Sequence, residues 1–167
     1  MRWQRRGLCA TVVVLVAWTG DAQAFGHWFH FGKAAHSVLL ERGAVAIATG
    51  RLEEGVALTL KGLTEAKDPR EASAGYSNLC AAYALLKRWD DALPQCNHAI
   101  ELDPGNWRSY NNRAAVFTAR AEFDLAIADI NRGLDLVPSS PTLLRSLQIV
   151  QENQHRYHEL RKTAVPA

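Results

Sequence analysis

Two stretches of the chain repeat one another: WDDALPQCNHAIELDP at residues 89–104 and EFDLAIADINRGLDLVP at residues 122–138. Each contains an aromatic residue, an aspartate, small residues at matching spacing and a closing proline. When the chain is shifted along itself by 34 residues, like residues coincide: Tyr76 with Tyr110, Asn78 with Asn112, Tyr83 with Phe117, Asp90 with Asp124, Ala92 with Ala126, Leu102 with Leu136, and Pro104 with Pro138. A fixed period of this length is typical of proteins built from stacked repeats.

Each repeat unit predicts a pair of helices. The first helix has an apolar face with i, i+3, i+4, i+7 spacing, at Tyr76, Leu79, Cys80 and Tyr83. Asp68 is suited to cap this helix, because Pro69 and Glu71 follow at the first and third helical positions. Pro104 ends the second helix, since proline cannot continue the hydrogen-bond ladder. The sequence therefore predicts an all-α fold.

The pattern resembles the tetratricopeptide repeat, in units at residues 73–106 and 107–140. That family places two aromatic residues and a small residue in the first helix, two small residues in the second, and then a proline. The first unit matches at Tyr76, Cys80, Tyr83, Ala92, Ala99 and Pro104, and the second at Tyr110, Ala114, Phe117, Ala126, Gly133 and Pro138. The second unit departs from the pattern at Arg113, where an apolar residue such as Leu79 is more usual.

The resemblance extends beyond these two units. Residues 36–72 resemble a degenerate repeat that keeps small residues but lacks the aromatics. Residues 141–162 are expected to form a capping helix, because a solenoid needs a polar end to shield its last open face, and residues 163–167 form a tail. The resemblance thus implies a tetratricopeptide-type helix-turn-helix solenoid with about three helix pairs and a C-terminal capping helix.

Residues 1–24 have the three-part pattern of a secretory signal peptide. They comprise a basic start at Arg2, Arg5 and Arg6, an apolar run at Leu8–Trp18, and a small-x-small cleavage motif at Ala22–Ala24. The apolar run is shorter than the roughly 20 residues that cross a bilayer. We therefore predict cleavage near Ala24, a periplasmic or secreted protein, and no stable membrane span after cleavage; an uncleaved N-terminal anchor is the alternative.

The charge of the chain gives no support for nucleic-acid binding. The sequence has 19 basic and 17 acidic residues, and cleavage after Ala24 removes three arginines and one aspartate, which leaves 16 of each. A nucleic-acid-binding domain is expected to carry a basic patch. The sequence likewise lacks a phosphate loop, a nucleophile elbow and a metalloprotease motif, so we expect neither catalysis nor a cofactor.

The resemblance also implies a concave groove lined by the first helix of each unit. Its polar candidates are Ser77, Asn78, Arg108, Asn111, Asn112 and Arg145. An asparagine can both donate to and accept from a peptide backbone, and an arginine can pair with a carboxylate. Some family members hold a chaperone's C-terminal carboxylate with a polar clamp, but Leu40 and Ala44 stand where that clamp requires Lys and Asn. The alternative is that these polar side chains are only solvated.

Two further clusters of residues are candidates for chemistry. If the helices pack antiparallel, as the resemblance implies, Cys80 and Cys96 face each other and can form a disulfide; the alternative is two buried free thiols. The leader at residues 25–35 is rich in aromatics and histidine, and His27, His30 and His36 offer a metal-binding alternative. A flexible leader, or one that docks on the solenoid or on a partner, is the other interpretation.

We therefore expect a non-enzymatic interaction module that binds a peptide or protein partner in its groove, with a role in cell-envelope scaffolding or assembly. The alternative function is a periplasmic metal-binding or sensing protein that uses the N-terminal histidines. Self-association through the repeats is a third option.

Overall fold

The computed structural model describes residues 37–163, and in that range it shows seven helices and no strand. The helices are α1 (Val38–Ala48), α2 (Leu52–Leu63), α3 (Pro69–Leu85), α4 (Trp89–Leu102), α5 (Trp107–Ala119), α6 (Phe123–Leu136) and α7 (Pro141–Thr163). Consecutive helices pack as three pairs, α1 with α2, α3 with α4, and α5 with α6, and α7 covers the end of the last pair. The prediction of an all-α solenoid with three helix pairs and a capping helix is confirmed.

The start of α3 is fixed by side-chain capping. The carboxylate of Asp68 accepts a hydrogen bond of 2.9 Å from the backbone N–H of Glu71, and Pro69 occupies the first helical position. The Glu71 carboxylate in turn accepts a bond of 2.8 Å from the N–H of Lys67. Since both ends of this exchange satisfy backbone donors at a helix start, α3 begins at Pro69, before the 34-residue unit begins at residue 73.

The first pair packs through glycines in place of aromatic rings. A Cβ added at Gly43 would lie 3.1 Å from the carbonyl oxygen of Gly55, and one added at Gly55 would lie 3.0 Å from the backbone N of Ile47. A Cβ at Gly62 would approach the backbone N of Leu40 to 2.9 Å. The backbones of α1 and α2 are therefore too close for any side chain at these positions, which leaves no gap for a large ring to fill.

A disulfide joins the two helices of the second pair. Cys80 of α3 and Cys96 of α4 are bonded, with their Cα atoms 5.1 Å apart, and both side chains are fully buried. The bond closes a loop that contains the turn between the helices, because the two cysteines are 16 residues apart in sequence.

The third pair is joined by an ion pair at the residue that departs from the repeat pattern. Arg113 of α5 donates two hydrogen bonds, of 2.8 and 2.7 Å, to the buried carboxylate of Asp129 in α6. It also donates a bond of 2.7 Å to the side-chain oxygen of Asn97 in α4. The hydrogen bonds to Asp129 raise the pKa of Arg113, so the arginine stays charged and links three helices where an apolar residue is more usual.

We predict that the free energy of unfolding of the variant Cys80→Ala/Cys96→Ala is about 3 kcal/mol lower than that of the wild type. Without the disulfide, the loop between the two cysteines no longer restricts the unfolded chain. Urea unfolding followed by circular dichroism measures the difference. Wild-type protein treated with a reductant is the control and should approach the variant's midpoint. Equal midpoints for oxidised wild type and variant would contradict the prediction.

We also predict that Asp129→Ala destabilises the fold by about 3 kcal/mol, since it leaves the partly buried guanidinium of Arg113 without its partner. The double variant Arg113→Leu/Asp129→Leu should lie within about 1 kcal/mol of the wild type, because an apolar pair of similar volume can replace a buried ion pair. Guanidinium chloride unfolding tests both. A double variant as unstable as the single one would show that the ion pair itself is required.

Candidate functional site

The first helices of the three pairs form one layer, which is held together by asparagine side chains. The Nδ2 of Asn78 in α3 donates to the carbonyl oxygen of Leu40 in α1, at 3.3 Å. The Nδ2 of Asn112 in α5 donates to the backbone carbonyl and the hydroxyl of Ser77 in α3, at 3.2 and 3.0 Å. Each asparagine thus ties its own first helix to the preceding one.

The contacts between paired helices show which sides of α3 and α5 face the groove. On α3, Cys80 bonds to α4, and on α5, Arg113 bonds to α6. At about 100° per residue, Ala74 and Ala81 lie about 100–120° around α3 from Cys80, and Arg108 and Ala115 lie about 140–160° around α5 from Arg113. These residues point away from the second helices. We define the groove face as Ala74, Ala81, Arg108 and Ala115.

Three predicted groove residues take part in the contact between repeats. Ser77, Asn78 and Asn112 are each at most 1% exposed, and the amide N–H groups of both asparagines are used in the bonds between helices. The Oδ1 atoms of Asn78 and Asn112 are buried without a hydrogen-bond partner. The periodic asparagines thus have a structural reason that the sequence pattern alone did not supply.

Two other predicted groove residues, Asn111 and Arg145, differ in how exposed they are. Asn111 is fully buried on α5, next to Asn112, and Arg145 is exposed on α7. At the two positions where a complete clamp would need polar groups, Leu40 packs against Gly62 and Ala44 is buried. The structure therefore joins Asn112 to Ser77, which precedes Asn78 on α3, and the first helix pair has Leu40 and Ala44 at the two clamp positions.

Arg108 is the cation of the groove face. Its side chain is half-buried, its guanidinium lies over the ring of Trp107 at 4.7 Å from the centroid, and its Nε is buried without a hydrogen-bond partner. Burial lowers the pKa of Arg108. No carboxylate in residues 37–163 forms a salt bridge with it. In contrast, Arg113 on α5 and Arg120 at the C-terminal cap of α5 each form a salt bridge with a carboxylate. A planar guanidinium in this state favours a carboxylate of a bound molecule.

Several predictions fall outside the part of the chain that the structure describes. They are the signal peptide at 1–24, the leader at 25–35, and His27, His30 and His36. Within residues 37–163, no group of three or more His, Cys, Asp or Glu side chains is placed to hold a metal ion. In the same range, every helix is too short or too polar to cross a bilayer.

Comparison with known proteins agrees with this geometry. The family model described as "Tetratricopeptide repeat" matches residues 73–106. The described helices form a tetratricopeptide-repeat solenoid. The first such domain of human RPAP3 superposes with a TM-score of 0.64 at 25% identity, covering 73% of this chain and 94% of that one. The first such domain of Spaghetti (RPAP3), solved with an HSP90 peptide, gives 0.61 at 26% identity, covering 69% and 91%.

Relatives by sequence are much longer proteins. Mouse sperm-associated antigen 1 is 28% identical over 112 residues, which is 67% of this chain and 12% of the relative. Mouse peptidyl-prolyl cis-trans isomerase FKBP4 is 32% identical over 83 residues, which is 50% of this chain and 18% of the relative. The chain thus spans less than a fifth of either relative, and the likeness concerns only that segment of each.

We predict that Asn112→Ala lowers the free energy of unfolding by about 1–3 kcal/mol, because it removes the amide that donates to Ser77 inside the layer. Asn131→Ala is the matched control, since Asn131 is exposed on α6 and should change stability by about 0.5 kcal/mol or less. Urea unfolding of the wild type and the two variants measures these differences in the free energy of unfolding. Equal stability of Asn112→Ala and wild type would mean that the two buried hydrogen bonds contribute nothing to the stability of the fold.

Proposed function

We propose that the chain is a non-enzymatic interaction module that binds a peptide or protein segment along the groove face. The observation that carries the proposal is Arg108, a half-buried cation without a salt bridge to any carboxylate in residues 37–163. A bound segment that brings a carboxylate to Arg108 would supply that partner, at a site already partly shielded from water.

Similar proteins support this kind of activity. The Spaghetti domain, at 26% identity, is described as bound to the HSP90 peptide SRMEEVD. Yeast heat shock protein STI1 is 25% identical to this chain over 114 residues. Both observations support an interaction module of the peptide-binding kind, and neither supplies the partner of this chain.

The groove of this chain favours a different ligand from one held by a full polar clamp. Leu40 and Ala44 offer no charged or amide group at the positions where such a clamp needs them. We therefore propose a segment that brings one acidic group to Arg108 and is not held by a second polar group of the first helix pair. A single ion pair of this kind mainly orients the bound segment.

We further propose that this binding serves scaffolding or assembly in the cell envelope, with the chain periplasmic or secreted. Two features support the location. Residues 1–24 have the pattern of a cleavable signal, and the structure pairs Cys80 with Cys96, a bond that persists in oxidising compartments.

We expect Arg108→Ala to weaken the selective retention of acidic peptides. Immobilised wild type is exposed to a random decapeptide library with free C-termini, and retained peptides are sequenced by mass spectrometry. Peptides with acidic groups should be enriched, and their retention should fall at least about tenfold with Arg108→Ala, the loss of a charge-assisted hydrogen bond. Arg132→Ala, an exposed arginine on α6, is the matched control and should retain them as the wild type does.

Two results would overturn the proposal. One is a library with no peptide enriched over a column without protein. The other is an enriched set that Arg108→Ala and Arg132→Ala retain equally, which would move the site away from the groove face.

A further inference from the structure

The two ends of the solenoid differ in how they are covered. At the C-terminal end, α7 packs on the last helix pair and turns a mostly polar side, with Gln148, Gln151 and His155, to solvent. At the N-terminal end, α1 packs against α2 and α3, and part of its remaining side is exposed. A terminal unit normally carries a polar outer face, so apolar residues on this side of α1 point to a contact there.

Val38 and Val45 lie on this exposed side of α1. Gly43 faces α2, and the carbonyl oxygen of Leu40 accepts the hydrogen bond from Asn78 of α3. At about 100° per residue, both valines lie about 140–160° around α1 from Gly43 and from Leu40, so they point away from both neighbouring helices. The valines are 69% and 52% exposed and form a short apolar line along the helix.

Two opposite charges flank this apolar line. Glu41 and Arg42 lie midway between the valines along α1, about 50° to either side of them. Both side chains are exposed, and neither forms a salt bridge within residues 37–163. We define the end face as Val38, Glu41, Arg42 and Val45. A surface that carries both charges beside an apolar line can complement a copy of itself.

We propose that the end face pairs with the end face of a second copy of this chain, about a two-fold axis parallel to α1. The two α1 helices then run in the same direction, the valines of one copy pack on those of the other, and Glu41 of each copy meets Arg42 of the second. Each charge thereby gains a partner that its own chain does not supply within residues 37–163. The inference goes beyond the proposed function, because it assigns a second copy to a surface outside the groove face.

The positions of the two charges select the parallel orientation. A two-fold axis that lies in the contact and is perpendicular to α1 would make the helices antiparallel, and Glu41 would then meet Glu41 while Arg42 met Arg42. Like charges placed opposite each other oppose association, whereas opposite charges favour it. The end face is therefore complementary to itself in the parallel orientation.

This contact closes as a dimer. A head-to-tail contact, between the end face of one copy and α7 of the next, would repeat and form a filament. The outer side of α7 fits the end face poorly, because Leu144 is surrounded there by Gln148, Gln151 and His155. A contact made mainly by one helix of each copy is small, so we expect a dimer that dissociates at micromolar concentrations.

Sedimentation velocity from micromolar to millimolar protein measures the dimer dissociation constant, on the full-length chain and on the chain beginning at Phe25. Glu41→Arg and Arg42→Glu each place like charges opposite each other and should raise that constant at least about tenfold. The charge swap Glu41→Arg/Arg42→Glu restores opposite pairs and should return it to within about threefold of the wild type. Glu65→Arg, at an exposed position after α2, changes the net charge as Glu41→Arg does and should leave the constant unchanged.

Disulfide trapping tests the orientation in the chain beginning at Phe25, which lacks Cys9. Val45→Cys should cross-link to the same position of the second copy when diamide oxidises the two thiols, because the parallel orientation places these positions side by side. The antiparallel orientation would separate them by roughly 10 Å along the helix axis, which is too far for a disulfide. Leu60→Cys on α2 is the control, since Leu60 is 48% exposed but lies outside the end face, and it should stay monomeric.

Three results would overturn the proposal. One is a wild type that stays monomeric over the whole concentration range. Another is a dissociation constant that the single charge reversals change no more than Glu65→Arg does, or that the charge swap does not restore. The third is a failure of Val45→Cys to cross-link, or a series of species larger than a dimer, which would exclude the parallel two-fold contact. No peptide is present in these measurements, so their outcome is independent of the peptide-library result.

Discussion

The hydrogen bonds that Asn78 and Asn112 donate to the preceding first helix set the register of the whole layer. A helix pair cannot bury both of its faces alone, so each unit depends on its neighbour for part of its core. Apolar packing between units is tolerant of small shifts, whereas an amide that must reach one carbonyl is not. These two bonds therefore position α1, α3 and α5 relative to one another, and with them the alanines and Arg108 of the groove face.

The two helices of each pair are held together by a different kind of contact in each of the three pairs. In the first pair, Gly43, Gly55 and Gly62 allow the backbones to touch. The second pair is joined covalently by Cys80 and Cys96, and the third by the ion pair of Arg113 with Asp129. The same repeat pattern thus tolerates van der Waals, covalent and ionic contacts between the two helices of a pair, provided that the helices remain close.

The periodic sequence predicted paired helices and the cap of α3 at Asp68, because these follow from local spacing and capping chemistry, and the resemblance to the tetratricopeptide repeat implied the three pairs and the capping helix. It did not predict why the asparagines recur. A polar residue at a repeated position looks the same in sequence whether it faces solvent or bonds to a neighbouring helix. Nor could it show that Arg113 is paired with a carboxylate 16 residues away while Arg108 on the same helix is not. Such differences arise only when the helices pack.

The disulfide in the central pair has a consequence for how the array comes apart. Helical repeat arrays open unit by unit, and their terminal units separate first because they have a neighbour on one side only. Since Cys80 and Cys96 tie α3 to α4, an array that opens from either end keeps a covalently closed hairpin in its middle. That hairpin retains the surfaces that α1 and α5 recognise, so it can serve as a template on which the outer units reassemble after partial unfolding.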